Sequence, residues 1–248
     1  MSLLEAAAGT SVLAGALLQS AVGFGFALVC APLLFAAIGP VQAVGLLTVL
    51  GLQINVMTLL GERRRPQPLG DLVVRLLAWS LPGMLVGVAV LRSVDALVLQ
   101  VLLTLTVFAT LLARWRVQRA SAEPRPAPGW APPATGLAAG ALCLTTSTAG
   151  PAIVLLLLGR GHRPVSVRDT LTVTFLGLAI LTTAVLAATG TTAAIPGAAA
   201  LAVTVPLTAA GQLLGRRLFV RLEAGSYETA LTAVLVVSAA VGLLSALL

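Results

Sequence analysis

Gln19, Ser20, Gly23 and Gly25 interrupt one long apolar stretch of this chain, and Thr145, Thr146, Ser147, Thr148 and Gly150 interrupt another. Hydroxyls and an amide donate hydrogen bonds without carrying charge, so they suit recognition of an anion's oxygens. Glycine at 23 and 25 permits a tight turn and lets a ligand approach main-chain N–H groups closely. Where a helix restarts after each break, near 23–26 and near 148–152, its first N–H groups have no helical acceptor and its dipole end is positive. Each restart is therefore a potential anion socket. Thr48, Asn55 and Thr174 on the following apolar runs are further candidates for substrate binding, with Gln53 and Thr172 behind them. An interhelical hydrogen bond would satisfy Gln53 and Asn55 equally well.

The elements that hold these residues are membrane spans. A chain of 248 residues that is 58% hydrophobic and 9% charged cannot bury its apolar surface in a water-soluble core. Its mean hydropathy is +1.06. The apolar runs are helix-length and lack the ten-residue alternation of an outer-membrane barrel, so an all-α polytopic bundle is expected. Six runs have the length of one crossing: 41–61, 72–91, 94–113, 170–190, 193–214 and 225–247. A segment at 116–134, rich in Arg and Pro, reads as a cytoplasmic linker between a first repeat at 1–115 and a second at 135–248.

The two interrupted stretches, 3–38 and 131–159, are too long for single upright crossings; the first would measure about 54 Å as one straight helix. Arginine placement decides how they run. All fifteen basic residues are Arg. If each stretch crosses once, the arginines divide eight to seven between the two sides. If each is a re-entrant hairpin, fourteen share one side and Arg92 stands alone on the other, as the positive-inside rule requires. A hairpin plus three spans makes the second half an inverted copy of the first, with both termini outside the cytoplasm.

Shared landmarks support two related halves: Ala16/Ala141, Ser20/Thr145 and Gly25/Gly150 at a shift of 125, Thr48/Thr174 and Gly51/Gly177 at 126, Pro82/Pro206 and Gly87/Gly211 at 124. Single glycines at 15, 51, 87, 140, 177 and 211 read as close-packing positions between helices. Asp169, beside Arg168, reads as a local ion pair or a helix-start residue, and Arg92 as a snorkelling anchor. Cys30 and Cys143 read as small buried residues with no CxxC pairing.

Several classes of function are disfavoured. The net charge of +7 is that of topology-marking arginines in short loops, so no nucleic-acid partner is expected. His162 is the only histidine and no intramembrane acidic pair is visible, so the chain is not expected to be an enzyme. No cofactor or metal motif is present in the sequence. No residue marks a proton or sodium site, and expelling an anion gains about 2.3 kcal/mol per charge per 100 mV of inside-negative potential. The expectation is a uniporter-like anion carrier of the cell (cytoplasmic) membrane, with an anion-conducting channel of the same architecture as the alternative. Its partners are a small anion and the lipid bilayer, and its oligomeric state stays open.

The string from Ser20 to Leu34, with Gly23, Gly25 and Pro32, resembles the glycine-rich first motif of the sulfite exporter TauE/SafE family, also called 4-toluene sulfonate uptake permeases. Phe24 and Phe26 stand where many members carry further glycines. The resemblance extends over length, two related halves, the charged central loop, the second break at 145–151 and the Gly211, Arg216, Arg217 pattern. It implies movement of small anions, especially sulfite, organosulfonates or related carboxylates, often as export.

Overall fold

The computed structural model describes residues 3–61, 64–119, 128–157, 160 and 162–219, and all of its long elements are helices. They are α1 (Leu3–Val22), α2 (Phe26–Ile38), α3 (Pro40–Gly61), α4 (Gly70–Ser93), α5 (Ala96–Arg119), α6 (Ala131–Thr146), α7 (Gly150–Leu157), α8 (Pro164–Ala188) and α9 (Ala198–Phe219), with a 3-10 turn at Thr192–Ala194. The expected span at 225–247 lies outside the described residues. Helices α3, α4, α8 and α9 are long and apolar enough to cross a membrane. Proline opens α3 and α8, where its missing N–H costs nothing; Pro164 lets α8 start six residues before the expected 170. Helix α5 runs on through Arg119 and α6 begins at Ala131, so the expected linker at 116–134 is helical at both ends.

Both long stretches break where the sequence does. Cys30 Sγ donates to the Ser11 carbonyl, and a Cβ on Gly15 would lie 2.9 Å from the Phe26 carbonyl oxygen. Residues 11 and 15 thus face 30 and 26, which makes α1 and α2 an antiparallel hairpin folded at Gly23-Phe24-Gly25. Gly23 and Gly25 have φ of 93° and 110°, a region that disfavours any residue with a Cβ. The second break is a left-handed (αL) helix ending. Ser147 takes φ 57°, its N–H reaches the Cys143 carbonyl, and the Thr148 N–H reaches Leu142.

Side-chain contacts orient the bundle. Arg64 and Leu69 beyond the end of α3 meet Asp169 and Thr170 near the start of α8, whereas Gly45 near the start of α3 packs on Ala194 beyond the end of α8. The two helices therefore run antiparallel. Helix α4 runs with α8, from Leu69–Thr170 through Leu77–Gly177 to Arg92–Thr189. Consequently Arg64, Arg163, Arg168 and Arg216 gather at one end of the bundle and Arg92 lies at the other. Helix α2 leads away from its break toward the Arg92 end, and α7 leads away from the second break toward the arginine-rich end.

Packing is reciprocal among these helices. The first arm of each hairpin lies along a long span distant in sequence: α1 on α9 and α6 on α4, both parallel. Gly211 abuts Leu13 and Ala16, and Gly87 abuts Ala141 and Leu144, so matched residues make matched contacts. A Cβ on Gly83, Gly140 or Gly215 would stand 2.1 Å from a carbonyl oxygen of the neighbouring helix. Such close backbone approach is what small residues give helices in lipid, where apolar transfer no longer drives association. The outward faces carry Trp79, Leu85, Leu97, Leu105, Phe108 and Val203, while Gln19, Ser20, Asn55, Thr145, Thr146 and Gln212 are buried.

Candidate functional site

The two breaks touch. Phe24, fully buried, packs against Gly150, and a cavity of about 80 Å³ opens beside them. Its wall takes Gly25, Phe26, Ala27 and Leu28 from the first break and Ser147, Thr148, Ala149 and Gly150 from the second. Gln19, Thr48, Gly51, Asn55, Cys143 and Phe175 complete most of the rest. By the measure in which one water needs about 10–15 Å³, this is room for a few waters or one small oxyanion.

Main-chain donors and polar side chains converge on this space. The first-turn amides of α2 have no acceptor within the helix. That of Phe26 is taken by Gln19 Oε1 at 3.3 Å, while Ala27 and Leu28 line the cavity. Gln19 Nε2 donates to Asn55 Oδ1 at 3.4 Å, and Asn55 Nδ2 donates to the Gly51 carbonyl at 2.7 Å. This relay from α1 to α3 holds two amides in one orientation at the cavity wall. Across from them, Thr146 and Thr148 share a hydroxyl hydrogen bond of 2.5 Å. Ser147 Oγ is buried without a partner. A buried hydroxyl left unpaired forgoes about 1–3 kcal/mol, so an acceptor brought to it would be welcome. Facing N-termini, one free hydroxyl and fixed amides can bind the oxygens of an anion without any formal positive charge in the wall.

The expected site residues divide into two sets. Gln19, Gly25, Thr48, Asn55, Ser147, Thr148 and Gly150 line the cavity. Ser20, Gly23, Thr145, Thr146 and Thr174 stand behind it. Ser20 Oγ donates to the Gln212 carbonyl, Thr145 to Ala141, and Thr146 to Leu142. Gly23 packs on the stem of Arg168, and Thr174 Oγ1 is buried with no partner. Gln53 makes the interhelical bond, its Nε2 donating to the Val205 carbonyl at 3.0 Å.

Some readings need correction. Gly51 is no packing position: nothing lies within 4 Å of where its Cβ would stand, because the position faces the cavity. Asp169 pairs with Arg64, 105 positions away, with Arg168 adding to the positive field around it. Arg92 does not extend outward but donates to the Thr189 carbonyl and to Thr191 Oγ1, at the end of α8. Phe175 and Cys143 belong to the cavity and carried no site signal in the sequence, since apolar residues on apolar helices look alike.

Apolar helices, two of them interrupted so that their restarts meet at a polar cavity, define a multi-pass membrane protein of the transporter kind. The family model described as sulfite exporter TauE/SafE matches residues 7–242, and the chain belongs to that family. The family implies a membrane transporter of sulfite- or sulfonate-type anions. No curated protein matches the chain, and no solved structure does.

Proposed function

We propose that this protein is a secondary transporter of a small anion, sulfite, an organosulfonate or a related carboxylate, which it exports across the cytoplasmic membrane. The binding site is the cavity between the restarts of α2 and α7, and the two halves are inverted-topology repeats around it. The observation that carries this reading is the shared wall: residues 25–28 and 147–150, far apart in sequence, enclose one space. Gln19, Thr48 and Asn55 hold the anion's remaining oxygens. Its small volume favours a carrier that binds one ion over a continuous pore.

A thermal-shift series on purified protein with sulfite, methanesulfonate, toluenesulfonate, thiosulfate and acetate tests the site. A true ligand at 100 times its Kd stabilises the native state by about 2.7 kcal/mol, and the Tm rises with concentration accordingly. Chloride at equal ionic strength leaves Tm unchanged. If none of the oxyanions raises Tm above chloride, the cavity is no anion site. Flux of the stabilising anion from proteoliposomes then measures direction, and persistence of that flux without a pH gradient supports uniport.

A further inference from the structure

Below the cavity, at the arginine-rich end, buried polar groups tie four helices together. Arg168 on α8, 1% exposed, donates from Nη2 to the Ser20 carbonyl of α1 at 3.0 Å. Ser20 Oγ donates to the Gln212 carbonyl of α9 at 2.9 Å, and Gln212 Nε2 donates to Thr58 Oγ1 of α3 at 2.8 Å. The next two residues of α8 bind the α3–α4 connection. Asp169 accepts from both terminal nitrogens of Arg64, at 2.6 and 2.7 Å, and from the Gln67 amide, while Thr170 Oγ1 accepts from the Leu69 amide.

The opposite end is built differently. A second cavity, of about 290 Å³, lies between the first turns of α3 and the last turns of α8, lined by Gly45, Val49, Thr183, Leu186, Thr191 and Ile195 among others. Thr48 lines both this space and the smaller cavity, so the two adjoin. From the candidate site, a second cavity adjoins at Thr48 toward the Arg92 end, and hydrogen-bonded polar groups stand toward the other.

We infer that the Arg168–Ser20–Gln212–Thr58 belt, secured by the Arg64–Asp169 pair, is the latch that closes the anion path at the arginine-rich end, and that this structure is the state with that latch shut. The inference rests on the cavity being the transport site. Anion passage toward that end requires α8 to release the first break, and Arg168 is the charge a departing anion meets there, in competition with the Ser20 carbonyl. A charge pair suits such a latch because Asp169 is buried while Arg64 is partly exposed, so separating them leaves a desolvated carboxylate and the pair's integrity sets a two-state bias.

Cys143 lines the smaller cavity and serves as a native reporter once Cys30 is replaced by Ala. Its labelling by an impermeant trimethylammonium methanethiosulfonate is measured in right-side-out and inverted vesicles, with no sulfite or sulfonate added. In the otherwise unaltered protein, labelling from the arginine-bearing side is the slower. Asp169→Asn raises the rate from that side roughly tenfold, by shifting the closed–open equilibrium. Arg64→Gln, which alters the partly exposed partner, does the same and serves if Asp169→Asn fails to fold. Unchanged labelling from that side in a variant that keeps a cooperative Tm overturns the latch. Because no oxyanion is present, a latch that responds while every thermal shift fails would count against the anion reading alone.

Discussion

The two breaks, in contact through Phe24 and Gly150, bend the chain by different chemistry. At Gly23-Phe24-Gly25 the backbone does the work: two positive-φ glycines reverse the chain, and the side chain between them is a buried aromatic wedge. At Ser147-Thr148-Ala149 the turn is an αL helix ending whose left-handed residue is a serine, and the side chains of Ser147 and Thr148 are hydroxyls. A left-handed Ser is held at a cost of about 1–2 kcal/mol, a position where glycine would be the easier choice. A hydroxyl retained at that cost on a residue of the cavity wall, and left unpaired, points to use of the hydroxyl itself. The first break therefore supplies shape and main-chain N–H groups, and the second supplies side-chain donors.

Substitutions can break or sharpen this division. The largest effect is expected for Gly25→Leu, where φ of 110° disfavours any side chain at a residue of the cavity wall. The backbone term alone is about 1–3 kcal/mol. Flux in proteoliposomes should vanish while membrane insertion persists, and normal flux would remove the first break from the path. Thr148→Leu should do the same at the second break by filling the cavity.

Next comes the pair Ser147→Gly and Ser147→Ala. Both lose the hydroxyl and should weaken the anion by about 1 kcal/mol, or roughly fivefold in Kd, read by titration of the Tm shift. Only the glycine variant relieves the left-handed strain, so it should be the more stable of the two by about 1 kcal/mol. Equal affinities for the unaltered protein and both variants would show that the second break, like the first, contributes shape alone.

A smaller effect is expected at Gln19, whose carbonyl caps the Phe26 amide and whose amide meets Asn55. Gln19→Ala should cost about 1 kcal/mol of stability, as loss of a helix cap does, with a modest loss of affinity. Gln19→Glu should keep the cap and repel the anion, so its affinity should fall further than that of the alanine variant. The smallest is Arg92→Ala, which removes a cation from the end of α8. It should lower Tm by the equivalent of about 0.3–1 kcal/mol without changing anion affinity.

Much of the architecture was legible in the chain. The uncharged runs predicted the ends of α3 and α4 closely, and both breaks fall where Gly, Ser and Thr collect. The one-sided arginine count agrees with the contacts that place Arg64, Arg168 and Arg216 together and Arg92 apart. The site was harder. Polar residues were found because they are costly in lipid and so stand out, but which of them face the cavity was not readable. Ser20 and Thr145 occupy matched positions beside their breaks, yet both spend their hydroxyls on carbonyls. Gly51 and Phe175 carry no polar signal at all, and only the rotation of α3 and α8 brings them to the wall.

By itself, the sequence determined that the chain is a membrane bundle, where its helices break and that Arg92 stands apart from Arg64, Arg168 and Arg216. Those properties follow from terms each segment feels alone: transfer into lipid, the conformational freedom of glycine and the cost of moving arginine across. Tertiary structure decided that the two restarts share one cavity, that Asp169 reaches Arg64 across the fold, and that a buried belt stands at one end of the cavity only. Those outcomes depend on how helices rotate and approach one another, set by glycine-scale contacts between segments more than a hundred residues apart.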